Sequence, residues 1–220
     1  VKAGSFPISS FLLPLFNNMS IEAIVMTERI CWWFHILGIL AFLNYLPYSK
    51  HFHIILAFPN TYYSNLEPKG SFTNMASVKN EVQMMMDPNV DPYAAPVEVD
   101  DKEDPGRFGA KDVNDLNWVQ LMNAYSCTEC GRCTSECPAN QTGKLLSPRK
   151  IMMDTRDRLE EFGAHLSANG KNSDDGKSLL DDYVTREELW ACTSCNACTE
   201  ACPINIDPLS IIIDMRRYLV

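Results

Sequence analysis

The rhythm of apolar and polar positions divides the chain into three stretches. Residues 1–20, broken by Pro7, Pro14 and the pair Asn17-Asn18, read as an irregular or short-helical apolar segment. From Ile21 the pattern becomes helical, and Ile30 to Tyr48 (ICWWFHILGILAFLNYLPY) is almost uncharged. Nineteen residues rise about 28 Å as a helix, close to the hydrocarbon thickness of a bilayer. Trp32 and Trp33 at one end, and Tyr45 and Tyr48 at the other, stand where interfacial aromatic belts form. Lys50 favours a cytoplasmic C-terminal end, with Arg29 counting against it at the other end. A buried helix in a large soluble protein is the alternative reading of the same run. The pattern thus gives a membrane segment over residues 1–66 with one transmembrane helix at about 30–48.

Periodicity then lapses. Residues 67–111 hold Pro68, Pro88, Pro92, Pro96 and Pro105 together with the acidic run Glu98–Asp104, and read as an extended linker. The charge run is a solvated face before it is a docking site. Helical pattern returns in residues 112–220. Asp112 or Asn114 caps a helix through Leu116, Val119, Gln120 and Ala124, with Trp118 packed over a cluster or the core. Ser147 and Pro148 open a second helix whose apolar residues Ile151, Met152, Leu159 and Phe162 run to Gly163. Ser167–Ser178 is a polar loop. Thr185-Arg-Glu-Glu188 is a capping box, and Asp207-Pro208 starts a last helix through Leu209, Ile212, Ile213 and Leu219. The expected fold class is mainly α.

Cysteine changes this picture most. Cys127, Cys130, Cys133 and Cys137 precede Pro138, and Cys192, Cys195, Cys198 and Cys202 precede Pro203. Both runs obey C-x2-C-x2-C-x3-C-P, the spacing of bacterial-type [4Fe–4S] ligation, in which the fourth cysteine serves the other cluster. Two sets follow: Cys127, Cys130, Cys133 with Cys202, and Cys192, Cys195, Cys198 with Cys137. A disulfide framework wants a small secreted domain, and zinc usually takes separated pairs, so neither suits two four-cysteine runs. Clusters call for a reducing compartment, and the ninth cysteine, Cys31, reads as a buried inert thiol. A net charge of −9 argues against nucleic acid as a partner. Arg132, inside the first loop, either raises a cluster's potential or forms a salt bridge, and His165 reads as a solvated or capping residue.

His35 and His53 lie 18 residues apart, five helical turns, and so share a face about 27 Å apart along one continuous helix; His51 falls about 160° away. Two such imidazoles suit axial ligation of two stacked b-type haems, and equally suit ordinary interfacial residues.

Two resemblances add to these readings. His35, the run Pro47-Tyr48-Ser49-Lys50 and His53 resemble the last membrane helix of the nitrate reductase gamma subunit family of di-haem cytochromes b, with His51 as a departure. That resemblance implies that His35 and His53 each ligate a different haem, with partners on earlier helices. The chain is accordingly read as part of a longer polypeptide. Residues 112–220 resemble the all-α ferredoxin domain of the iron–sulfur subunits of succinate dehydrogenase, fumarate reductase, glycolate oxidase and heterodisulfide reductase. A membrane segment joined to such a domain looks like the membrane-anchored Fe–S proteins related to heterodisulfide reductase, whose partners bear CCG repeats. The expectation is an integral membrane electron-transfer subunit of a hetero-oligomeric complex, with its cluster domain on the cytoplasmic side. It would link a quinone pool, through b haems, to a soluble oxidoreductase subunit of CCG-repeat or flavin type. The rivals are a haem-free ferredoxin-like carrier, whose apolar helix only docks a partner, and a redox sensor.

Overall fold

The computed structural model describes residues 6, 10–68, 70–86, 108–170 and 173–220. The acidic run Glu98–Asp104 and Pro88, Pro92, Pro96 and Pro105 lie outside the described residues. The chain forms two units, residues 1–51 and 52–220.

In the first unit, Ser20 caps a helix over Ile21–Tyr45, its side chain accepting from the Ala23 amide at 3.3 Å. A 3₁₀ turn over Leu46–Tyr48 continues it, and the backbone at Ser49 is extended. Pro47 sits in that turn, where its missing N–H and its ring work against continuing the α-helix. The stretch Ile21–Tyr48 is long and apolar enough to cross a membrane, and none of its residues is buried. This helix begins at Ile21, where the pattern turns helical, and a single turn over Leu13–Phe16 precedes it.

The second unit is helical, and no strand occurs among the described residues. Its first helix, Phe52–Tyr62, packs on the helix Trp118–Ser126. Asn60, 1% exposed, donates from Nδ2 to the Ile204 carbonyl at 2.8 Å, and Phe52 meets the Tyr125 ring edge-on. Within the expected extended linker, Ala76–Met86 is a helix.

The cap assignments differ in one place. Asp112 caps only the 3₁₀ turn Val113–Asp115; the helix Trp118–Ser126 is capped by Asn117, whose side chain accepts from the Gln120 amide while Gln120 reaches back to the Asn117 amide. That shifts Trp118 to the first helical position, 58% exposed and edge-on to Tyr63 at 4.8 Å rather than over the core.

The longest helix of this unit, Pro148–Asn169, starts as expected at Ser147 and Pro148 but runs through Gly163 to end at Gly170, whose φ of 91° permits the exit. Gly163 faces open space, so its cost as a poor helix former is the only force against continuation. His165 is thereby inside the helix and half-buried, not beyond its end. Thr185 and Glu188 form the capping box of Arg186–Ala191, and Asp207 caps Pro208–Leu219 through the Leu209 and Ser210 amides. The core joins these helices through Ile151, Met152, Leu189, Ile211, Ile212 and Met215, each at most 1% exposed. Full burial of each such side chain stabilises by about 1.5–3 kcal/mol.

One glycine is required for close approach. Gly109 has φ +74°, and a Cβ there would lie 2.3 Å from the Asp214 carbonyl oxygen and 2.4 Å from the Tyr218 amide nitrogen. The neighbouring Ala110 amide donates to that same Asp214 carbonyl. Gly109→Ala is therefore expected to destabilise the unit by about 2–3 kcal/mol, read as a lower midpoint in anaerobic thermal unfolding.

Candidate iron–sulfur site

The two cysteine runs fold alike, step for step. Cys127 ends the helix Trp118–Ser126 and Cys192 ends Arg186–Ala191, with φ/ψ of −68°/121° and −70°/128°. Each amide donates back to its helix at 3.3 Å, Cys127 to Ala124 and Cys192 to Leu189. Two residues on, Glu129 and Ser194 both take the left-handed region at φ 59° and 56°. Gly131 and Asn196 repeat it at 82° and 60°, and each then starts a single-turn helix, Arg132–Ser135 or Ala197–Glu200. Three left-handed non-glycine residues in two short loops are strain that the ligand geometry retains. Cys137 and Cys202 close the turns, their amides donating to Thr134 and Thr199 at 3.2 Å.

The two single-turn helices pack on each other, and Cys202 of the second run stands at the cavity of the first. Cys127, Cys130, Cys133 and Cys202 line one cavity, together with Cys198, Arg132 and Arg149. Met152, Ile204 and Ile206 supply its apolar wall. The same crossing shows in the electrostatics. Burial pushes the Cys127 and Cys133 thiols up, and each is pushed further by Cys202. Burial likewise raises Cys192, opposed by Arg216 and reinforced by Cys137 and Cys195. Cys198 is pushed up to about 12 by its burial, with Asp207 adding to the effect. A cationic group held among such thiols would displace their protons.

All nine cysteines are free thiols. Among the described residues no three His, Cys, Asp or Glu side chains come close enough to hold one metal ion. The five cysteines that line this cavity are of the donor type that holds a polynuclear iron–sulfur group.

The remaining expected residues fall elsewhere. Arg132 lines the first cavity but is exposed, and among the described residues it has no ion pair. Cys31 is an exposed helix residue rather than a buried one. His35 is exposed on Ile21–Tyr45, whereas His53 belongs to the separate helix Phe52–Tyr62. The extended backbone at Ser49 interrupts the helix between them, so the single-helix phase that placed both on one face does not apply. Two groups had no sequence signal. Arg216, from the last helix, reaches the second loop, and Arg156, from Pro148–Asn169, pairs with Glu129 in the first. Both contacts join residues 22 or more positions apart, and no spacing rule marks them.

Residues 126–206 match the 4Fe-4S dicluster domain. Over 98% of its length the chain is 32% identical to the probable iron-sulfur-binding oxidoreductase FadF of Bacillus subtilis, covering 32% of that protein. It is 29% identical over its whole length to the EtfAB:quinone oxidoreductase of Syntrophomonas wolfei, covering 30% of it. A probable membrane-anchored ferredoxin of Chromohalobacter salexigens is 32% identical over 56% of the chain and 20% of its own length. Heterodisulfide reductase subunits C and D of Methanosarcina match over about half of the chain. The chain thus spans about a third of the length of the curated relatives that it matches from end to end. No solved structure matches it.

Proposed function

We propose, for a chain that carries a 4Fe-4S dicluster domain and is related to iron–sulfur oxidoreductases, a membrane-anchored ferredoxin and heterodisulfide reductase subunits, that it is a membrane-bound electron-transfer subunit working between a quinone pool and a soluble oxidoreductase partner. The carrying observation is the cavity lined by three cysteines of the first run and by Cys198 and Cys202 of the second. On this reading Cys127, Cys130, Cys133 and Cys202 hold one [4Fe–4S] cluster, and Cys192, Cys195, Cys198 and Cys137 hold the other. Bound there, the clusters supply one-electron redox chemistry without any bond change in a substrate. The chain's own part is to fix the sulfurs, to keep water off them with Met152, Ile204 and Ile206, and to set the local charge. The helix Ile21–Tyr48 anchors the subunit, and Lys50 favours a cytoplasmic position for the cluster domain. The name of the Syntrophomonas relative supports quinone as one redox partner.

In the haem-bearing form of this reading, His35 and His53 ligate two b-type haems together with residues of further helices. Support for it comes from a shallow apolar groove beside His35, lined by Ile30, Phe34, Gly38 and Phe42, where Gly38 leaves room for a flat ring.

The test is an optical and EPR spectrum of the detergent-solubilised native-length protein, oxidised and then reduced by dithionite or by a quinol. Bleaching of broad visible absorption together with reduced-cluster EPR signals is the expected result. Split b-type α bands would add the haems, and their absence would leave a tethered ferredoxin. A protein with no bleaching, or one whose clusters no quinol reduces, would overturn the quinone-linked role.

A further inference from the structure

The two loops share a backbone but differ in how a neighbouring arginine is balanced. In the first, Arg156 Nη2 meets the Glu129 carboxylate at 2.9 Å, so charge answers charge beside Cys130. In the second, the corresponding left-handed position is Ser194, and the guanidinium that reaches it is Arg216 from the last helix. Arg216 donates from Nε and Nη2 to the Leu189 carbonyl at 3.0 and 2.6 Å, and also to the Cys192 carbonyl. Its Nη1 donates to Ser194 Oγ at 3.3 Å, and its guanidinium lies 5.0 Å from the centroid of the Trp190 ring. Among the described residues no carboxylate forms an ion pair with Arg216; the adjacent Arg217 takes Asp214 instead. Every Arg216 partner is thus a neutral carbonyl, hydroxyl or ring, and the positive charge is not cancelled.

We propose that Arg216 is a positioning residue for the cluster held by the second run, fixing the Cys192–Ser194 loop and raising that cluster's reduction potential with its uncompensated charge. The proposal rests on the two-cluster reading above. Adding an electron makes a cluster more negative, so a fixed positive charge beside it favours the reduced form. A guanidinium suits the task better than an ammonium because its planar fork serves several acceptors at once and stays charged in a half-buried site.

The experiment is a redox titration of the native-length protein followed by EPR, on wild type and on Arg216→Gln, Arg216→Lys and Ser194→Glu. Arg216→Gln should lower the midpoint of one cluster and leave the other in place. Arg216→Lys, which keeps the charge, should restore most of that shift. Ser194→Glu copies the first loop's own residue at a backbone position where glutamate already occurs, and should lower the same midpoint with the arginine still present. If Arg216→Gln fails to assemble the second cluster, Ser194→Glu alone decides. Unchanged midpoints in variants that hold both clusters would overturn the proposal. A wild-type protein that binds iron and sulfide for only one cubane would instead fail the two-cluster reading, and the assignment of Arg216 with it.

Discussion

Cys202→Ser is expected to abolish the cluster held by Cys127, Cys130 and Cys133 while the other survives, and Cys137→Ser to do the reverse. Each variant should lose about half of the bound iron. Cys202 belongs in sequence to the second run, yet it lines a cavity with Cys127, Cys130 and Cys133 of the first, where the turns Arg132–Ser135 and Ala197–Glu200 pack together. Serine keeps the shape but is a poor ligand for iron, so the lesion is chemical and confined to one site. Anaerobic iron and sulfide determination with EPR of the reduced protein reads the outcome. Loss limited to the second run's cluster in Cys202→Ser would rule the crossing out.

The second large effect concerns folding. Arg158 is wholly buried on Pro148–Asn169 and is held from two sides. Its Nε and Nη2 donate to Asp112 at 3.0 and 2.7 Å, its Nη1 and Nη2 donate to Asp175, and Nη2 also donates to the Lys177 carbonyl at 2.7 Å. Asp112 in turn accepts from the Leu179 amide. One guanidinium therefore ties the entry to the domain, its longest helix and the loop that leads back to the second run. Arg158→Ala leaves two carboxylates facing each other without their counter-ion, and should cost about 3–5 kcal/mol. Loss of helical circular dichroism on anaerobic heating, at a clearly lower temperature than wild type, is the expected result. A midpoint within a degree of wild type would refute it. The pH dependence has a defined sign. Hydrogen bonding to Arg158 holds the Asp175 carboxyl down to about 2, below the ordinary value near 3.9. Its contribution is complete above about pH 4 and is lost as the pH falls toward 2.

Much of this site could be read from the chain because its information is local. The cysteine spacing, the prolines that follow it and the Thr185–Glu188 capping box all act within a few residues, and the structure bears out the capping box and the helix starts at Ile21, Pro148 and Pro208. The failures have a common origin in competing local signals. The cap expected at Asp112 or Asn114 falls instead at Asn117, where the reciprocal bond with Gln120 fixes the helix start. Gly163 looked like a stop, but a glycine ends a helix only where the backbone turns left-handed, which Gly170 does. The histidine phase ran through Pro47 with only a bend expected in the last turn, whereas the chain passes there into a 3₁₀ turn and an extended Ser49. Arg158 and Arg216 were silent because their partners lie far along the sequence.

The tie between Asn60 and the Ile204 carbonyl also has a consequence for exchange of amide hydrogens. Ile204 stands two residues after Cys202, so Phe52–Tyr62, which contains no cysteine, is bonded to the ligand loop of the first cluster. Segments joined in this way open cooperatively, as one unit of local unfolding. Protection of the amides in Phe52–Tyr62 should therefore fall when the first cluster is lost and hold when the second is lost, making this helix a reporter of cluster occupancy at a site it does not itself ligate.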